Sequence, residues 1–420
     1  MKVRILSTSN YRGGASIAAS RLNRSIYHYG ISLNSEMQVA DYKKDINNFI
    51  KPESHFKLGW YLGRKYIGTI IQKSQKSKNK ILHSSALLPS NIHKEINKCD
   101  ADVINLHWVQ EEFISIKSIS LIKKPIVWTL HDLWPILGTE HYPKDFNDTR
   151  YIDGYSKKNR LSGEKGVDLD LISWRLKKKF FIKPIQIVCN SNWSANCVKS
   201  SSLMSSWPVA IIPNPIPTEI YKPWPKKIAR NLFNLPLDKY LILFGAIGGT
   251  DDNRKGWQYL KEALEKLGKN NNNLHAIVFG QFEPKEKTKV GIPISYIGEL
   301  NDDQSLAMLY SAVNVMVVPS IMETLCQTAQ EAQSCGIPVV AFNCSGLVDV
   351  VENHETGYLA KPFESDDLSN GIEWVLKHEN YNYLSIESRK RAVRLWNQKT
   401  ITNKYKEIYN KVINKGKSKG

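Results

Sequence analysis

Two glutamates eight positions apart, Glu323 and Glu331, lie in the run PSIMETLCQTAQEAQSCGIPVVAF. What a pair of carboxylates can bind depends on the elements that carry them. The residues just before, NVMVVP (314–319), form a short Val-rich run stopped by proline, which predicts a buried strand. From Thr328 the pattern turns helical through Ala329, Ala332 and Gln333, and Gly336 and Pro338 close it. Glu323 therefore falls in the loop after a strand, and Glu331 in the first turns of the next helix. Open α/β sheets bind ligands at the carboxyl ends of their strands. One acid for sugar hydroxyls, one for ribose hydroxyls, and helix-terminal N–H groups for a diphosphate together suit a sugar nucleotide. A bare E-x7-E is no more than two surface glutamates; its neighbours give this one weight.

Lys255 adds a cation. Asn253-Arg254-Lys255-Gly256 follows the apolar run LILFGAI, so the ammonium is expected at another strand end. Departure of a nucleoside diphosphate develops negative charge, which a fixed cation in a water-poor cleft stabilises more than it stabilises the ground state. Arg254 is the neighbouring candidate, and the loop GGTDDN could bind phosphate through its amides. In the first half, His131 ends the run IVWTL and precedes Asp132, so it should point into a cleft. His107, in NLHWV, ends the preceding strand and is the secondary candidate. Gly13 and Gly14 follow the first strand but are adjacent, which is not the G-x-G-x-x-G spacing, although Glu36 falls about where a ribose-binding acid of a dehydrogenase would. The preferred reading is that these glycines let a loop approach donor or acceptor where a side chain would collide. Ala15 to Tyr29 then forms a helix whose first amides can face a phosphate. Asp168-Leu169-Asp170 is a D-x-D by letter, but it precedes a basic, aromatic helical run and reads as an N-terminal cap, so no metal is called for.

These residues need two α/β halves to position them. VRILST, DVINLHWV, PIVWTL, IQIVCNS and VAIIPN alternate with helical stretches in the first half; YLILFGAI, HAIVFG, ISYIG, VNVMVVPS and IPVVAF do so in the second. Short Val/Ile-rich strands separated by helices predict parallel sheets covered on both faces. The Pro-rich stretch Asn214-Pro215-Ile216-Pro217 marks the boundary, giving domains at 1–213 and 214–390 and a C-terminal segment at 391–420. Residues 144–166 are charged and weakly patterned, and are expected to be a loop near the cleft. The closing KGKSKG is expected to be disordered.

Composition is that of a globular protein, with 42% hydrophobic and 23% charged residues. No run reaches the roughly 18 apolar residues of a spanning helix. The N-terminus enters a strand at once with no signal-peptide pattern. Six cysteines without C-x-x-C spacing read as reduced thiols of a cytoplasmic protein. Charge is the outlier: 58 basic against 40 acidic residues, a net +18. Between Ser54 and Lys94 there is no acidic residue and there are eight Lys or Arg. Trp60, Tyr61, Leu62, Tyr66, Ile67, Ile70 and Ile71 interleave there with Lys57, Arg64, Lys65, Lys73, Lys76, Lys78 and Lys80. A basic amphipathic segment rich in aromatics is the pattern of a helix lying on an anionic membrane surface. Residues 174–181 (WRLKKKFF) have the same character. No RNP-like strand, GXXG loop or zinc knuckle points to a specific nucleic acid.

Seven blocks in order carry a resemblance: Gly13-Gly14-Ala15, Thr129-Leu130-His131-Asp132, Ile212-Pro213-Asn214-Pro215, Asn253-Arg254-Lys255-Gly256, Tyr310-Ser311-Ala312, the two glutamates, and Gly336-Ile337-Pro338 through Gly346. Over nearly its whole length the chain resembles the family 4 glycosyltransferases, retaining enzymes of GT-B fold that use nucleotide sugars. The resemblance implies two Rossmann-like domains facing a cleft, with a C-terminal helix that crosses back to the first. It implies that His131 contacts the donor sugar near the reacting carbon. The donor set is then Gly13, Gly14, Arg254, Lys255, Glu323, Thr324, Leu325 and Glu331, with His131, Lys255 and Glu323 catalytic. Many relatives carry an arginine six positions before the lysine, where this chain has Gly249, so the second phosphate cation is left open. The chain looks most like bacterial exopolysaccharide transferases of the colanic-acid type, though the cysteine cluster common after HDLWP is absent. The expected activity is transfer from a UDP- or GDP-linked sugar to a glycan, lipid-linked through polyprenyl diphosphate, without metal or cofactor, at the inner face of the membrane. Capsule and O-antigen pathways fit equally. The alternative is a non-catalytic nucleotide-sugar-binding scaffold of a polysaccharide synthase.

Overall fold

The structure, a computed structural model of the chain, describes every residue except 44–48, 51–54, 246–251, 285–289 and 418–420; the side chains of 49, 50, 55, 56, 270, 416 and 417 also lie outside the description. It divides into two compact units, Met1–Pro213 with Ile401–Gly420, and Asn214–Thr400.

The strands of the first unit are β1 (Lys2–Ser9), β2 (Asn34–Asp41), β3 (Phe49–Ile50), β4 (Gln75–Lys76), β5 (Val103–Leu106), β6 (Ile126–Leu130), β7 (Lys165–Gly166), β8 (Gln186–Cys189) and β9 (Val209–Ile211). Seven of them make a parallel sheet in the order β3-β2-β1-β5-β6-β8-β9, while β4 and β7 pair antiparallel outside it. The second unit holds β10 (Tyr240–Gly245), β11 (Leu274–Phe279), β12 (Ile294–Gly298), β13 (Val315–Val318), β14 (Val339–Phe342) and β15 (Gly357–Ala360), all parallel, in the order β12-β11-β10-β13-β14-β15. Every residue of β5, β13 and β14 is buried, as strands covered by helices on both faces require. In each sheet the strand order reverses once: between β1 and β5 in the first, between β10 and β13 in the second. Crevices at such reversal points, outside the carboxyl ends of the strands, are where doubly wound sheets bind ligands. The candidate residues follow β1, β5 and β6 in one unit and β10 and β13 in the other.

The chain's end differs in detail from expectation. Tyr381–Trp396 is a helix of the second unit, and a separate helix runs Gln398–Lys417. Asn397 divides them: its carboxamide oxygen accepts from the Lys399 amide at 2.9 Å, capping the new helix. Ile401, Tyr405 and Tyr409 are buried among Val3, Ile5, Val103 and Val127 of the first sheet. The Asn105 carboxamide donates to the Tyr409 hydroxyl at 2.7 Å, and the Tyr405 and Thr129 hydroxyls lie 3.1 Å apart. The tail is helical through Lys417, so the first half of KGKSKG is ordered helix; only 418–420 lie outside the description.

Two surface expectations separate. The helix His55–Lys73 turns Tyr61, Arg64 and Gly68 inward at helical spacing, with Tyr61 edge-on to Phe113. Its other side leaves Trp60 61%, Tyr66 70% and Ile70 53% exposed, beside exposed Leu62 and Ile67. Arg64 is therefore a core residue, and Lys57 and Lys65 are paired with Glu95 and Glu111; Lys73, Lys76, Lys78 and Lys80 are exposed. The second segment is mixed, with Arg175, Lys178 and Lys179 exposed and the rest turned inward or half-buried. In the helix Leu169–Phe180, Trp174 and Lys177 are buried, as is Phe181 just after it. Lys177 donates all three ammonium protons to carbonyls, those of Trp134, Leu137 (3.0 Å) and Gly138 (2.7 Å), and lies 3.6 Å over the Trp134 ring. With its donors satisfied, a lysine can be enclosed.

Residues 144–166, expected to be a plain loop, contain the helix Arg150–Asp153 and the 3-10 turn Lys157–Asn159. Arg150 is buried and shared by three carboxylates: Glu140 at 2.7 Å, Asp148 at 2.8 Å and Asp170 at 3.7 Å. One guanidinium does not neutralise three acids. Burial and the Asp170 charge outweigh Arg150 and push the Glu140 carboxyl up to about 8. Asp170 is held at about 2: burial pushes it up, but bonds from His83 and Thr139 and the Arg150 charge prevail.

Candidate functional site

In the second unit the turn after β10 and the loop after β13 are fastened backbone to backbone. Gly256 has φ of 71°, and a Cβ there would lie 1.9 Å from the Pro319 carbonyl oxygen, so only glycine lets the turn Asn253–Lys255 come this close. The Ile321 amide donates to the Arg254 carbonyl at 2.8 Å. This brings both cations to Glu323. Lys255 Nζ lies 2.5 Å, and Arg254 Nη1 3.0 Å, from the same oxygen, Oε1. Arg254 also donates to the Met322 carbonyl and pairs with Asp252. Burial pushes the Glu323 carboxyl up, but Lys255 and Arg254 outweigh it and hold it at about 2. The other side of the loop is latched too. The Glu323 amide donates to Ser345 Oγ at 3.1 Å, and the Gly346 amide to the Glu323 carbonyl at 2.8 Å.

The remaining second-unit candidates are placed differently. Thr324 and Leu325 are buried, and Leu325, within the hydrophobic core, can offer a ligand only its backbone. Glu331 lies in the helix Gln327–Ser334, 5% exposed, and accepts from the Tyr310 hydroxyl at 2.8 Å. Burial and the Glu331 charge push the Tyr310 phenol far up, so it stays a donor. The structure thus gathers Glu323, Lys255 and Arg254 directly, and gives Glu331 a buried tyrosine that orients it. Gly249 and most of the GGTDDN loop fall outside the described residues.

In the first unit, Gly13 and Gly14 belong to the first turn of the helix Gly13–Tyr29 rather than to a loop ahead of it. Gly13 has φ of 76°, and no atom lies within 4 Å of where its Cβ would be, so the backbone conformation, not crowding, calls for glycine. Glu36 is taken by Arg4, whose Nε donates to it at 2.9 Å from the adjacent strand, which removes it as a ribose ligand. Asp168 caps the helix Leu169–Phe180 by accepting from the Leu171 amide at 3.0 Å. Among the described residues no group of three or more His, Cys, Asp or Glu is arranged to hold a metal ion.

His131 and His107 are brought together at the ends of β6 and β5. His107 Nδ1 is 2.8 Å from His131 Nε2, with the rings stacked at 5.0 Å. Burial holds both imidazoles neutral: His131 is lowered to about 4 against the opposing pull of Asp132, and burial and the neighbouring His131 hold His107 well below its ordinary range. Asp132 does not serve as a base here. Its buried carboxylate accepts from Trp108 Nε1 (2.8 Å) and the Trp134 amide (3.0 Å), and lies 2.5 Å from His141 Nδ1. His141 Nε2 is in turn 2.9 Å from Ser84 Oγ. Sequence reasoning quoted Asp132 and Tyr310 inside motifs without giving them work, did not single out His141, and gave the segment of Lys177 a membrane-surface character. Asp132, beside His131, was the one signal available next to a candidate.

The chain is similar to several known proteins. Residues 227–393 match the family described as glycosyl transferases group 1. An uncharacterised glycosyltransferase of Methanocaldococcus jannaschii is 26% identical over 43% of this chain and 47% of its own length. An uncharacterised 41.2 kDa protein in the cps region of Klebsiella pneumoniae is 25% identical over 57% of this chain and 67% of its own. The N,N'-diacetylbacillosaminyl-diphospho-undecaprenol alpha-1,3-N-acetylgalactosaminyltransferase of Campylobacter jejuni is 26% identical over 29% of this chain and 31% of its own. The chain thus spans less than half the length of several curated relatives that it matches. Among solved structures, sucrose-phosphate synthase of Thermosynechococcus elongatus superposes over 98% of this chain and 99% of its own, with TM-score 0.65 and 18% identity. Anabaena HepE in complex with UDP and glucose does so over 98% and 100%, with TM-score 0.64 and 15% identity.

Proposed function

From the match of residues 227–393 to the glycosyl transferases group 1 family and the GT-B fold of its structural neighbours, we propose that this chain is a GT4-type enzyme that moves a hexose, with retained anomeric configuration, from a UDP- or GDP-linked donor to a lipid-linked glycan of a bacterial surface polysaccharide. The observation that carries the reading is the pairing of Lys255 and Arg254 on one oxygen of Glu323 at the strand-order reversal of the second sheet. A donor diphosphate offers those cations a stronger anion than one carboxylate. It takes them over, and Glu323 turns to the sugar hydroxyls while Glu331, oriented by Tyr310, receives the ribose. Charge developing on the leaving phosphate is then met by cations already in place. Attack is front-face, the leaving phosphate taking the acceptor proton, and His131 contributes a hydrogen bond to the sugar. Gly13 and Gly14 leave room for the substrate, and neither metal nor cofactor is used.

The acceptor class is supported by the Campylobacter relative, named for an undecaprenol diphosphate substrate, and the pathway by the Klebsiella protein of the cps region. No helix among the described residues is long and apolar enough to cross a membrane. The exposed ridge of Trp60, Tyr66, Ile67 and Ile70, followed by Lys73, Lys76, Lys78 and Lys80, supports peripheral contact with an anionic leaflet at its cytoplasmic face.

The test is sugar transfer from labelled UDP- and GDP-hexoses to extracted polyprenyl-diphosphate glycans in anionic vesicles. We expect one donor to support transfer with retention, and Lys255→Ala to lower kcat/KM about 100-fold or more. Nucleotide binding without transfer from any donor would instead mark a scaffold.

A further inference from the structure

The two histidines at the ends of β5 and β6 are both neutral and joined nitrogen to nitrogen, so one must donate and the other accept. Two arrangements satisfy that bond. If His131 donates from Nε2, His107 carries its proton on Nε2, an atom that is buried with no hydrogen-bond partner. If His107 donates from Nδ1, its buried Nε2 is only a lone pair without a donor. An enclosed N–H without an acceptor is the rarer and costlier defect. His107 therefore carries its proton on Nδ1.

We infer that His107 is a positioning residue that donates to His131 Nε2 and thereby fixes His131 as the Nδ1–H tautomer. The placement of both rings is set by the next residues along the chain. Trp108 Nε1 donates to Asp132 at 2.8 Å, a second bond between the same two strand ends one residue further on. The backbone of the His107 segment is held on its other side by β1: the His107 amide donates to the Leu6 carbonyl at 2.9 Å, and the Thr8 amide to the Trp108 carbonyl at 2.6 Å. Beyond His107, the charged group facing His131 is Asp132, whose carboxylate is committed to Trp108, the Trp134 amide and His141.

The consequence is chemical. With Nε2 occupied, His131 has no lone pair to offer, so it does not act as a general base. It is a neutral donor, through Nδ1–H. That conclusion rests on the proposed transfer reaction only for its kinetic part, and there it leaves the acceptor proton to the leaving phosphate.

The test is nitrogen-15 NMR of histidine-labelled protein at neutral pH, with His131 assigned by the signals lost in His131→Gln. The expected spectrum has His131 protonated on Nδ1 and His107 protonated on Nδ1. In His107→Phe, which keeps a ring but removes the donor, the His131 proton is expected to redistribute between its two nitrogens. In His107→Asn, whose carboxamide Nδ2 replaces the lost donor, the Nδ1–H form is expected to return. Transfer should follow, with kcat down about tenfold in His107→Phe, the size of one lost hydrogen bond, at unchanged KM for the donor sugar, and recovered in His107→Asn. A wild-type His131 protonated on Nε2 overturns the inference, as does a His131 spectrum that His107→Phe leaves unchanged. Should His107→Phe not fold, the wild-type spectrum alone decides the tautomer. The spectra are independent of turnover, so a protein that transfers nothing yet shows this tautomer contradicts the proposed function and not this inference.

Discussion

Lys255 and Arg254 converge on a single carboxylate oxygen, and that convergence makes a prediction in the absence of any substrate. The folded Glu323 titrates at about 2 against an ordinary 4.5, so its ionised form stabilises the second unit. That contribution is complete above about 4.5 and is lost as pH falls through the folded value. In Lys255→Ala one of the two cations is gone and the folded value rises, so acid unfolding of the second unit, followed by circular dichroism, should begin at higher pH than in the wild type. An unchanged midpoint would mean that the ion pair does not form in solution. Glu140 has the opposite sign. Its folded carboxyl is pushed up to about 8, so the native state keeps a proton that the unfolded chain gives up, and stability falls as pH rises between about 4.5 and 8. Glu140→Gln, which preserves an oxygen for Arg150, should gain stability over wild type through that interval and match it near pH 4 in denaturant melts. At this scale the sequence was legible where residue type and strand-end position coincide, as for Glu323, Lys255 and His131. It was silent where a side chain's job comes from a distant contact. Nothing near Arg150 announces three carboxylates from 140, 148 and 170, and nothing near Glu331 announces Tyr310 across the fold.

Two segments of similar letters, one at residues 57–80 and one at 174–181, differ as elements in which residues they turn inward. Interleaved Lys and aromatics specify an amphipathic helix but not which side meets protein. In His55–Lys73 the inward positions are Tyr61, Arg64 and Gly68, the last so close to Glu112 that an added Cβ would lie 2.5 Å from its side chain. The outward ridge is largely exposed, so replacing Trp60, Tyr66, Ile67 and Ile70 together by serine should change the melting free energy by only about 0.5 kcal/mol per site or less. The same variant should lose co-sedimentation with anionic vesicles; retained binding would remove the ridge from the account. In Leu169–Phe180 the lysine expected at a membrane instead ties down the turn that follows His131 and Asp132. Lys177→Met keeps the volume but leaves three carbonyls without donors, and should destabilise the first unit by about 3 kcal/mol or more. That lysine's burial was not legible because its acceptors are main-chain atoms some forty residues away, exposed by a 3-10 turn that no residue pattern marks.

For the whole molecule, alternating Val/Ile runs and helices conveyed two parallel sheets, while the GT-B architecture came from the resemblance of the seven motif blocks. The exact hand-over at the C-terminus did not, because Asn397 acts as a cap within what reads as one helical stretch. The last helix completes the first unit's core through Ile401, Tyr405 and Tyr409. Chain ending at Thr400 should therefore unfold the first unit at far lower denaturant, since losing three buried side chains removes about 5 kcal/mol or more, while the second unit's transition stays in place. The central claim concerns that second unit: a nucleotide sugar is held there by Lys255, Arg254, Glu323 and Glu331. Its most direct test is a thermal-shift series with UDP, GDP, ADP and TDP on the wild type and on Glu331→Ala. A nucleotide at 100 times its dissociation constant adds about 2.7 kcal/mol of stability, so one of the four should raise the wild-type transition by several degrees, and Glu331→Ala should abolish the shift. No shift with any nucleotide, or a shift that Glu331→Ala leaves intact, would contradict the account.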